Sequence, residues 1–281
     1  MEALSETKSW ERIQQLETAF QDDPTDEFHV LELGRSYVAS NRFSEAVVVL
    51  ERLKSLNPNS VELYPLLGLS YLNCDRAHEA IDQFKMAMLH KPEASNLLWC
   101  MGEALFKAER YLQAVEYFKR SAELERGNLL PLRKMAQAFF DMGKMELAIE
   151  ILNEAIKYDG SVSELWSSLG WAYLHIAEYT LAIGPLKKSL ELNQNNIQCV
   201  KSLALSLFAL GRKDSSLEYY QLALALDPQD AEALFGLGIL YVSSGNLKCA
   251  HRQYEALVAS KSHLAEDLYA KILERNEILM A

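Results

Sequence analysis

Apolar and small side chains recur along this chain at intervals of 34 residues. A large apolar residue stands at seven equally spaced positions: Tyr37, Tyr71, Leu105, Phe139, Tyr173, Leu207 and Tyr241. Three residues before each of these lies a glycine or an alanine: Gly34, Gly68, Gly102, Ala136, Gly170, Ala204 and Gly238. Another small residue follows twelve residues later, from Ala46 in the first unit to Ala250 in the last. We expect the two small residues of each unit to face each other, so that two helices can approach closely. A fixed period of this length predicts a repeat array, in which each unit buries its apolar face against its neighbours.

Proline and glycine indicate how each unit is built. The 281 residues include only seven prolines and twelve glycines, which favours a mostly helical chain. Four prolines also follow the repeat spacing, at Pro24, Pro58, Pro92 and Pro228. Because proline ends a helix, we expect each of them to follow the last turn of a helix. Three repeats have Arg126, Gly160 or Gln194 at this place instead, so their turns are predicted to be less sharply fixed.

The recurring residues resemble the tetratricopeptide signature, and the second repeat carries all of it: Tyr64, Leu67, Gly68, Tyr71, Ala80, Phe84, Ala87 and Pro92. In this phase seven repeats follow without insertion: 27–60, 61–94, 95–128, 129–162, 163–196, 197–230 and 231–264. The resemblance implies an all-α fold in which pairs of antiparallel helices, A and B, stack into a right-handed superhelical solenoid. It also implies that the A helices line the concave side of that solenoid.

The two ends depart from the repeat, as the ends of a stacked array must. Residues 1–26 are predicted to hold a capping helix equivalent to half a repeat, with Trp10, Ile13, Leu16 and Phe20 along one side. Residues 265–281 begin like an eighth repeat but are predicted to form a second capping helix. They place Lys271 and Arg275 where the repeat has apolar residues, which favours a solvent-facing end.

The predicted concave face of the A helices is unusually apolar. Its outward positions lie three residues before the Gly34 position, one after it and four after it. The residues of the predicted binding groove are Leu69, Leu72, Trp99, Phe106, Arg133, Gln137, Phe140, Trp171, Leu174, Lys201, Leu205 and Phe208. Two interpretations remain open, most of all for Val38, Leu72 and Val242: these side chains pack against the next repeat, or they bind apolar side chains of a partner.

A small polar element interrupts this groove. Arg133, Lys134, Gln137 and Lys201 are candidates to bind backbone carbonyls or an acidic side chain of a ligand. A solvated face is the competing interpretation. Some tetratricopeptide proteins bind the C-terminal carboxylate of heat-shock chaperones through a set of cations. The last two cations of that set are absent here, where Gln198 and Ser202 stand, so the groove is not expected to bind in that way.

Charge and composition exclude several classes of function. The net charge of −11 opposes binding to nucleic acid and to anionic lipid. The N-terminal sequence MEALSETKSWERIQQ lacks the features of a secretory signal, and the apolar stretch from Leu203 to Leu210 is too short to span a membrane. Four cysteines without disulfide or zinc spacing favour free thiols and a cytoplasmic location. No catalytic or metal-binding motif is present, so we expect no enzyme activity, metal or cofactor.

These observations predict a protein that binds other proteins. The leading hypothesis is an adaptor or chaperone that holds an extended or helical segment of a client, one with apolar side chains, in the concave groove. The alternative is an architectural subunit of a multiprotein complex that uses its convex face or its end helices. No oligomeric state follows from the pattern.

Overall fold

The computed structural model describes the backbone of residues 2–280 and the side chains of residues 10–278, and within this part of the chain every regular element is an α-helix. The sixteen helices group into two compact units, Met1–Ala138 and Phe139–Ala281, and the division falls within α8. None of the helices described is both long enough and apolar enough to cross a bilayer.

The first unit is built from α1 to most of α8. Its helices are α1 (Glu2–Asp22), α2 (Glu27–Ala39), α3 (Phe43–Leu56), α4 (Leu63–Asn73), α5 (Ala77–Met88), α6 (Ser95–Lys107), α7 (Tyr111–Leu124) and α8 (Leu130–Asp141). The even-numbered helices from α2 onward are A helices, and each odd-numbered helix that follows is its B partner. Every A helix from α2 to α6 packs against the B helix that follows it, and consecutive pairs contact each other.

The second unit continues the same order. Its helices are α9 (Met145–Tyr158), α10 (Ser163–His175), α11 (Tyr179–Leu192), α12 (Ile197–Ala209), α13 (Lys213–Leu226), α14 (Ala231–Ser243), α15 (Leu247–Ala259) and α16 (Leu264–Met280). Pairs α10–α11, α12–α13 and α14–α15 pack in the same way as the pairs of the first unit. The predicted all-α fold of antiparallel helix pairs is therefore confirmed.

The spaced glycines allow a large side chain of helix B to lie directly on helix A. A Cβ atom added at Gly68 would stand 2.6 Å from the ring of Phe84, and one at Gly34 would stand 2.5 Å from Leu50. A side chain added at either glycine would force Leu50 or Phe84 to shift, and both of these are fully buried. The sequence spacing suggested that the glycine faces the small residue twelve positions later. The nearest contact is instead with the large residue sixteen positions later.

The turn from helix A to helix B contains one residue in the left-handed region of φ in all seven repeats. These residues are Asn41, Asp75, Glu109, Gly143, Ala177, Gly211 and Gly245, with φ between 57° and 74°. The next residue donates its N–H to a carbonyl of the last turn of helix A, as Arg42 does to Tyr37 at 2.8 Å. This left-handed residue and the hydrogen bond after it end helix A and reverse the chain.

The turn from helix B to the next helix A does not depend on proline. Helices α7, α9 and α11 lack a following proline, yet they end at Leu124, Tyr158 and Leu192, in register with α3 and α13. Helix B therefore ends in register without a proline, and the weaker fixing of these turns stays a prediction. In two of these turns Asp159 and Asn193 accept a hydrogen bond from the backbone N–H two residues later, at 2.8 and 3.2 Å. Asn57 and Asp227 accept the same hydrogen bond where a proline follows, so the Asx turn is common to turns with and without proline.

The first helix contacts α2 in the same way that α3 contacts α4. The hydroxyl of Tyr37 donates to Glu17 at 2.7 Å, and the hydroxyl of Tyr71 donates to Glu51 at 2.6 Å, with the same spacing of 20 residues. Ile13 is buried, whereas Trp10 is 60% exposed, so the packed side of α1 does not extend to Trp10.

The last helix packs differently from the A helices before it. In the earlier repeats with a glycine, the side chain beside it comes from helix B of the same repeat. Beside Gly238 the neighbour is Leu268 of α16, only 2.5 Å from where a Cβ would lie. Leu268 and Ile272 are buried together with Leu257 of α15, so α16 covers the end of the second unit. Lys271 is exposed, as the capping interpretation required, whereas Arg275 is half-buried.

Candidate protein-binding surface

The outward positions of the A helices form the surface to which the sequence assigned the binding groove. We number positions from the first residue of each repeat, so these are positions 5, 9 and 12, and together they make up the A-helix face. Neighbouring A helices contact each other within each unit, α2 with α4 and α4 with α6 in the first, and α10 with α12 and α12 with α14 in the second. Equivalent positions of neighbouring repeats therefore follow one another along each unit.

In the first unit the aromatic residues of this face rest on other rings. Trp99 contacts Phe118, with ring centroids 5.2 Å apart, and Phe106 meets the edge of Tyr111 at 5.3 Å. Trp99, Phe106 and Leu69 are all half-buried. Part of each side chain therefore stabilises the repeat, and the remainder is available to a ligand.

Lys134 is already bound within the first unit. Its ammonium group lies 3.0 Å from a carboxylate oxygen of Glu103 and 5.2 Å from the centre of the Phe106 ring. A cation held by both a carboxylate and an aromatic face has little charge left for a ligand. Arg133 is exposed and has no ion-pair partner among the residues described, so it is the basic side chain of this region best placed to meet an acidic group. Gln137 is exposed beside it.

In the second unit an aromatic cluster lies on α10. The ring of Phe140, from α8, meets that of Trp171 almost at right angles, with ring centroids 4.9 Å apart. His175 lies one turn after Trp171 on α10, and the centroids of these two rings are 3.7 Å apart. Trp171 and Phe140 are half-buried and His175 is exposed. This arrangement gives a supported aromatic surface, because each ring is held by the next.

Leucine and phenylalanine side chains continue this face on α12. Leu205 is 46% exposed, the largest exposure of any apolar side chain assigned to the groove. Phe208 is half-buried against the cluster that includes Tyr220 and Leu237, and Leu174 is half-buried against Leu203 and its neighbours. Leu205 is therefore the predicted groove residue with the largest exposed fraction of an apolar side chain.

Lys201 makes a structural bridge between helices. Its ammonium group lies 2.8 Å from Asp230 and 2.7 Å from Glu232, and only 12% of the side chain is exposed. Burial opposes its positive charge, but hydrogen bonds to the two carboxylates prevail and raise the pKa of Lys201. The sequence suggested that Lys201 binds a ligand. In the structure its charge is neutralised within the second unit, where it joins α12 to the start of α14.

Burial separates the two interpretations left open for position 12. Leu72 is 7% exposed and Val242 lies in a core cluster with Leu234 and Leu257. At these two positions the side chain mainly packs within the array and has little surface for a partner. Val38 is half-buried.

Position 9 distinguishes the two units. In the second unit it holds Trp171, Leu205 and Ile239, which we call the unit 2 apolar row. In the first unit the same position holds Arg35, Leu69, Glu103 and Gln137. Arg35 is paired with Glu62 and Glu103 with Lys134, so the first unit offers a mixed polar surface. Ile239, which is half-buried, was not assigned to the groove, although its spacing of 34 residues from Leu205 would have identified it.

Cys100 follows Trp99 on α6, and the reactivity of its thiol tests how deeply this part of the first unit is buried. Burial raises the pKa of the Cys100 thiol to about 11, and the charge of Glu103 adds to the effect. Because the thiolate is the reactive form, we expect iodoacetamide to alkylate Cys100 at about pH 8 roughly a hundredfold more slowly in the folded chain than in denaturant. Peptide mass spectrometry of partly labelled protein measures both rates. Equal rates in the two states would contradict this placement of the thiol.

Comparison with known proteins assigns this architecture to a family. Family models described as TPR repeat and tetratricopeptide repeat match residues 30–60, 105–172 and 204–245. The chain is a tetratricopeptide repeat protein. The C-terminal part of a TPR repeat-containing protein from Cytophaga hutchinsonii has the same fold, with a TM-score of 0.74 and 18% sequence identity over 85% of this chain and 98% of that one.

Two curated relatives are subunits of named complexes. BBSome complex member BBS4 of Bos taurus is 31% identical over 114 residues, which are 41% of this chain and 22% of that protein. Superkiller complex protein 3 of Mus musculus is 31% identical over 105 residues, 37% of this chain and 7% of that protein. The chain therefore matches only a small part of each relative. Proteins built from these repeats are generally non-catalytic scaffolds, and the fold supports a role in protein–protein interaction.

Proposed function

We propose that the chain is a non-catalytic adaptor or chaperone that binds an apolar segment of a partner protein through the unit 2 apolar row. The observation that carries this proposal is the 46% exposure of Leu205 on an A helix that is otherwise packed on both sides. Trp171, Leu205 and Ile239 stand at the same position of three consecutive repeats, so apolar residues follow one another from repeat to repeat. Rows of this kind bind the apolar side chains of a helical or extended segment.

The chemistry of the row favours apolar side chains of the partner over acidic ones. Lys201 lies four residues before Leu205 on α12, and its ammonium group is already paired with Asp230 and Glu232. Trp171 is held by Phe140 and His175, so it loses little side-chain entropy when a ligand contacts it. A supported tryptophan next to an exposed leucine is typical of the residues that contribute most to binding.

Leu205→Asp tests this proposal without disturbing the core. We expect the variant to fold with normal helix content and to lose the partners that the wild-type chain captures, because a charge replaces the most exposed apolar contact. Leu222→Asp is a matched control, since Leu222 is 42% exposed on the B helix of the same repeat. Capture from native extract, with partners quantified by mass spectrometry, compares the three proteins. If Leu205→Asp keeps the partners of the wild type, the apolar row is not the binding site. The same conclusion follows if Leu222→Asp loses those partners to the same extent as Leu205→Asp.

An architectural role in a larger complex is the second candidate function. It is favoured by the two relatives named as complex members, BBS4 and Superkiller complex protein 3. In that case partners survive Leu205→Asp but are lost when exposed side chains of the end helices, such as Trp10 of α1, are replaced.

For the location of the chain we propose the cytoplasm. Four cysteines are free, and Cys199 is buried with its thiol donating to the carbonyl of Leu186 at 3.1 Å. Unpaired thiols are the usual state in a reducing compartment. Imaging of the tagged native protein tests the proposal, and a signal outside the cytoplasm contradicts it.

A further inference from the structure

A second apolar surface lies at the C-terminal end of the second unit, away from the A-helix positions discussed above. It surrounds a cavity of about 590 Å³ between α15 and α16. Tyr254 and Val258 line it from α15, and Tyr269 and Leu273 line it from α16. Val258 is 49% exposed and Leu273 is 45% exposed, so much of this lining faces solvent.

The position of α16 explains why these side chains are exposed. In the six repeats before the last, the residue sixteen positions after the spaced glycine or alanine is buried, as Phe84 and Tyr220 are. The seventh such residue is Tyr254, but Leu268 occupies the space beside Gly238. Tyr254 therefore lies half-buried at the surface, where it stacks on Tyr269 with ring centroids 5.0 Å apart and an angle of 29° between the rings. The packing of α16 thus brings to the surface a side chain at a position that the other six repeats bury.

The rim of the cavity carries both signs of charge. Lys261 and Glu266 both line the cavity, both are exposed, and neither has an ion-pair partner among the residues described. Residues 247–281 contain five basic and five acidic side chains, so the net charge of −11 lies entirely on residues 1–246. Two copies of the chain repel each other through their net negative charge, and this segment adds nothing to that net charge.

We propose that this C-terminal surface, made of Tyr254, Val258, Lys261, Glu266, Tyr269 and Leu273, binds the same surface of a second copy of the chain. In a two-fold contact the same surface of both copies meets, so a surface that forms ion pairs with itself must carry both signs of charge. This rim does so, with Lys261 of one copy facing Glu266 of the other. The apolar residues supply most of the affinity, and the two symmetric ion pairs orient the copies.

Sedimentation equilibrium of the intact chain over a range of concentrations tests the proposal. We expect the wild type to approach twice the mass of one chain, and Val258→Glu to remain a monomer at the same concentrations. Val48→Glu is the control, because Val48 is 68% exposed on α3 of the first unit. Circular dichroism verifies that each variant keeps its helix content. A wild type that is monomeric throughout, or a dimer unaffected by Val258→Glu, would overturn the proposal.

Charge exchange distinguishes pairing with a second copy from binding to an unrelated protein. Lys261→Glu places two acidic side chains against each other at both symmetric contacts, and we expect it to raise the dimer dissociation constant by about tenfold or more. Glu266→Lys is expected to do the same. The double variant Lys261→Glu/Glu266→Lys restores both pairs and returns the constant to within about threefold of the wild type. A double variant no tighter than the single ones would contradict the proposed contact. The Leu205→Asp variant keeps this dimer, so failure of the partner site and failure of the dimer are separate results.

Discussion

Replacing Phe84 by alanine is expected to destabilise α4 to α6 strongly. Phe84 is fully buried, and its ring fills the space that Gly68 leaves open on α4. Removing it leaves a cavity between two helices whose backbones are already close, and substitutions of this kind cost about 3–5 kcal/mol. Hydrogen exchange followed by mass spectrometry measures the effect locally, and we expect the protection of amides in α4–α6 to fall by about a hundredfold or more.

Phe28→Ala is the matched control for this prediction. Phe28 belongs to the same unit but is 68% exposed, so its removal is expected to change stability by less than about 0.5 kcal/mol. Unchanged exchange in Phe84→Ala would show that the glycine and the ring do not form the contact that closes each helix pair. Exchange that increases equally in both variants would point to a general effect of losing an aromatic residue.

The regular part of the fold could be predicted because one spacing determines it. The glycine at Gly34 and its equivalents, with a large residue on helix B, fixes how closely two helices approach. That constraint repeats every 34 residues, so helix order, helix pairing and fold class all followed from the sequence. What the spacing did not identify was the contacting atom, since Leu50 rather than Ala46 lies nearest to Gly34.

The turns were predicted less well, because proline is not the feature that they share. A proline was the expected signal after each helix B, and its absence was interpreted as a weaker turn. Asp159 and Asn193 accept the same hydrogen bond from the backbone that Asn57 and Asp227 accept before a proline. The turns within each pair were overlooked, although Gly143, Gly211 and Gly245 are spaced by multiples of 34 and adopt positive φ.

Exposure on the A-helix face could not be predicted from the repeat alone, because it depends on partners in neighbouring helices. Lys201 was a candidate to bind a ligand until Asp230, 29 residues later, proved to lie against it. Leu72 and Leu205 are both leucines on that face, yet the first is almost fully buried and the second is 46% exposed. Position in the repeat identifies the face, and only the packing of each helix decides how much of a side chain remains for a partner.

Leu268→Ala is the second substitution with a large expected effect, and it examines how the array ends. Leu268 is fully buried beside Gly238, in the space that a helix B side chain occupies in other repeats. Its removal is expected to cost about 2–5 kcal/mol, and amides of α14–α16 should lose protection from hydrogen exchange. Ile278→Ala is the control on the same helix, since Ile278 is 59% exposed and lies outside the proposed dimer surface. If Leu268→Ala leaves exchange in α14 unchanged, then α16 does not seal the last pair, and the exposure of Tyr254 needs another cause. If α14 and α15 open together, the terminal helix has replaced the missing neighbour that a stacked repeat requires.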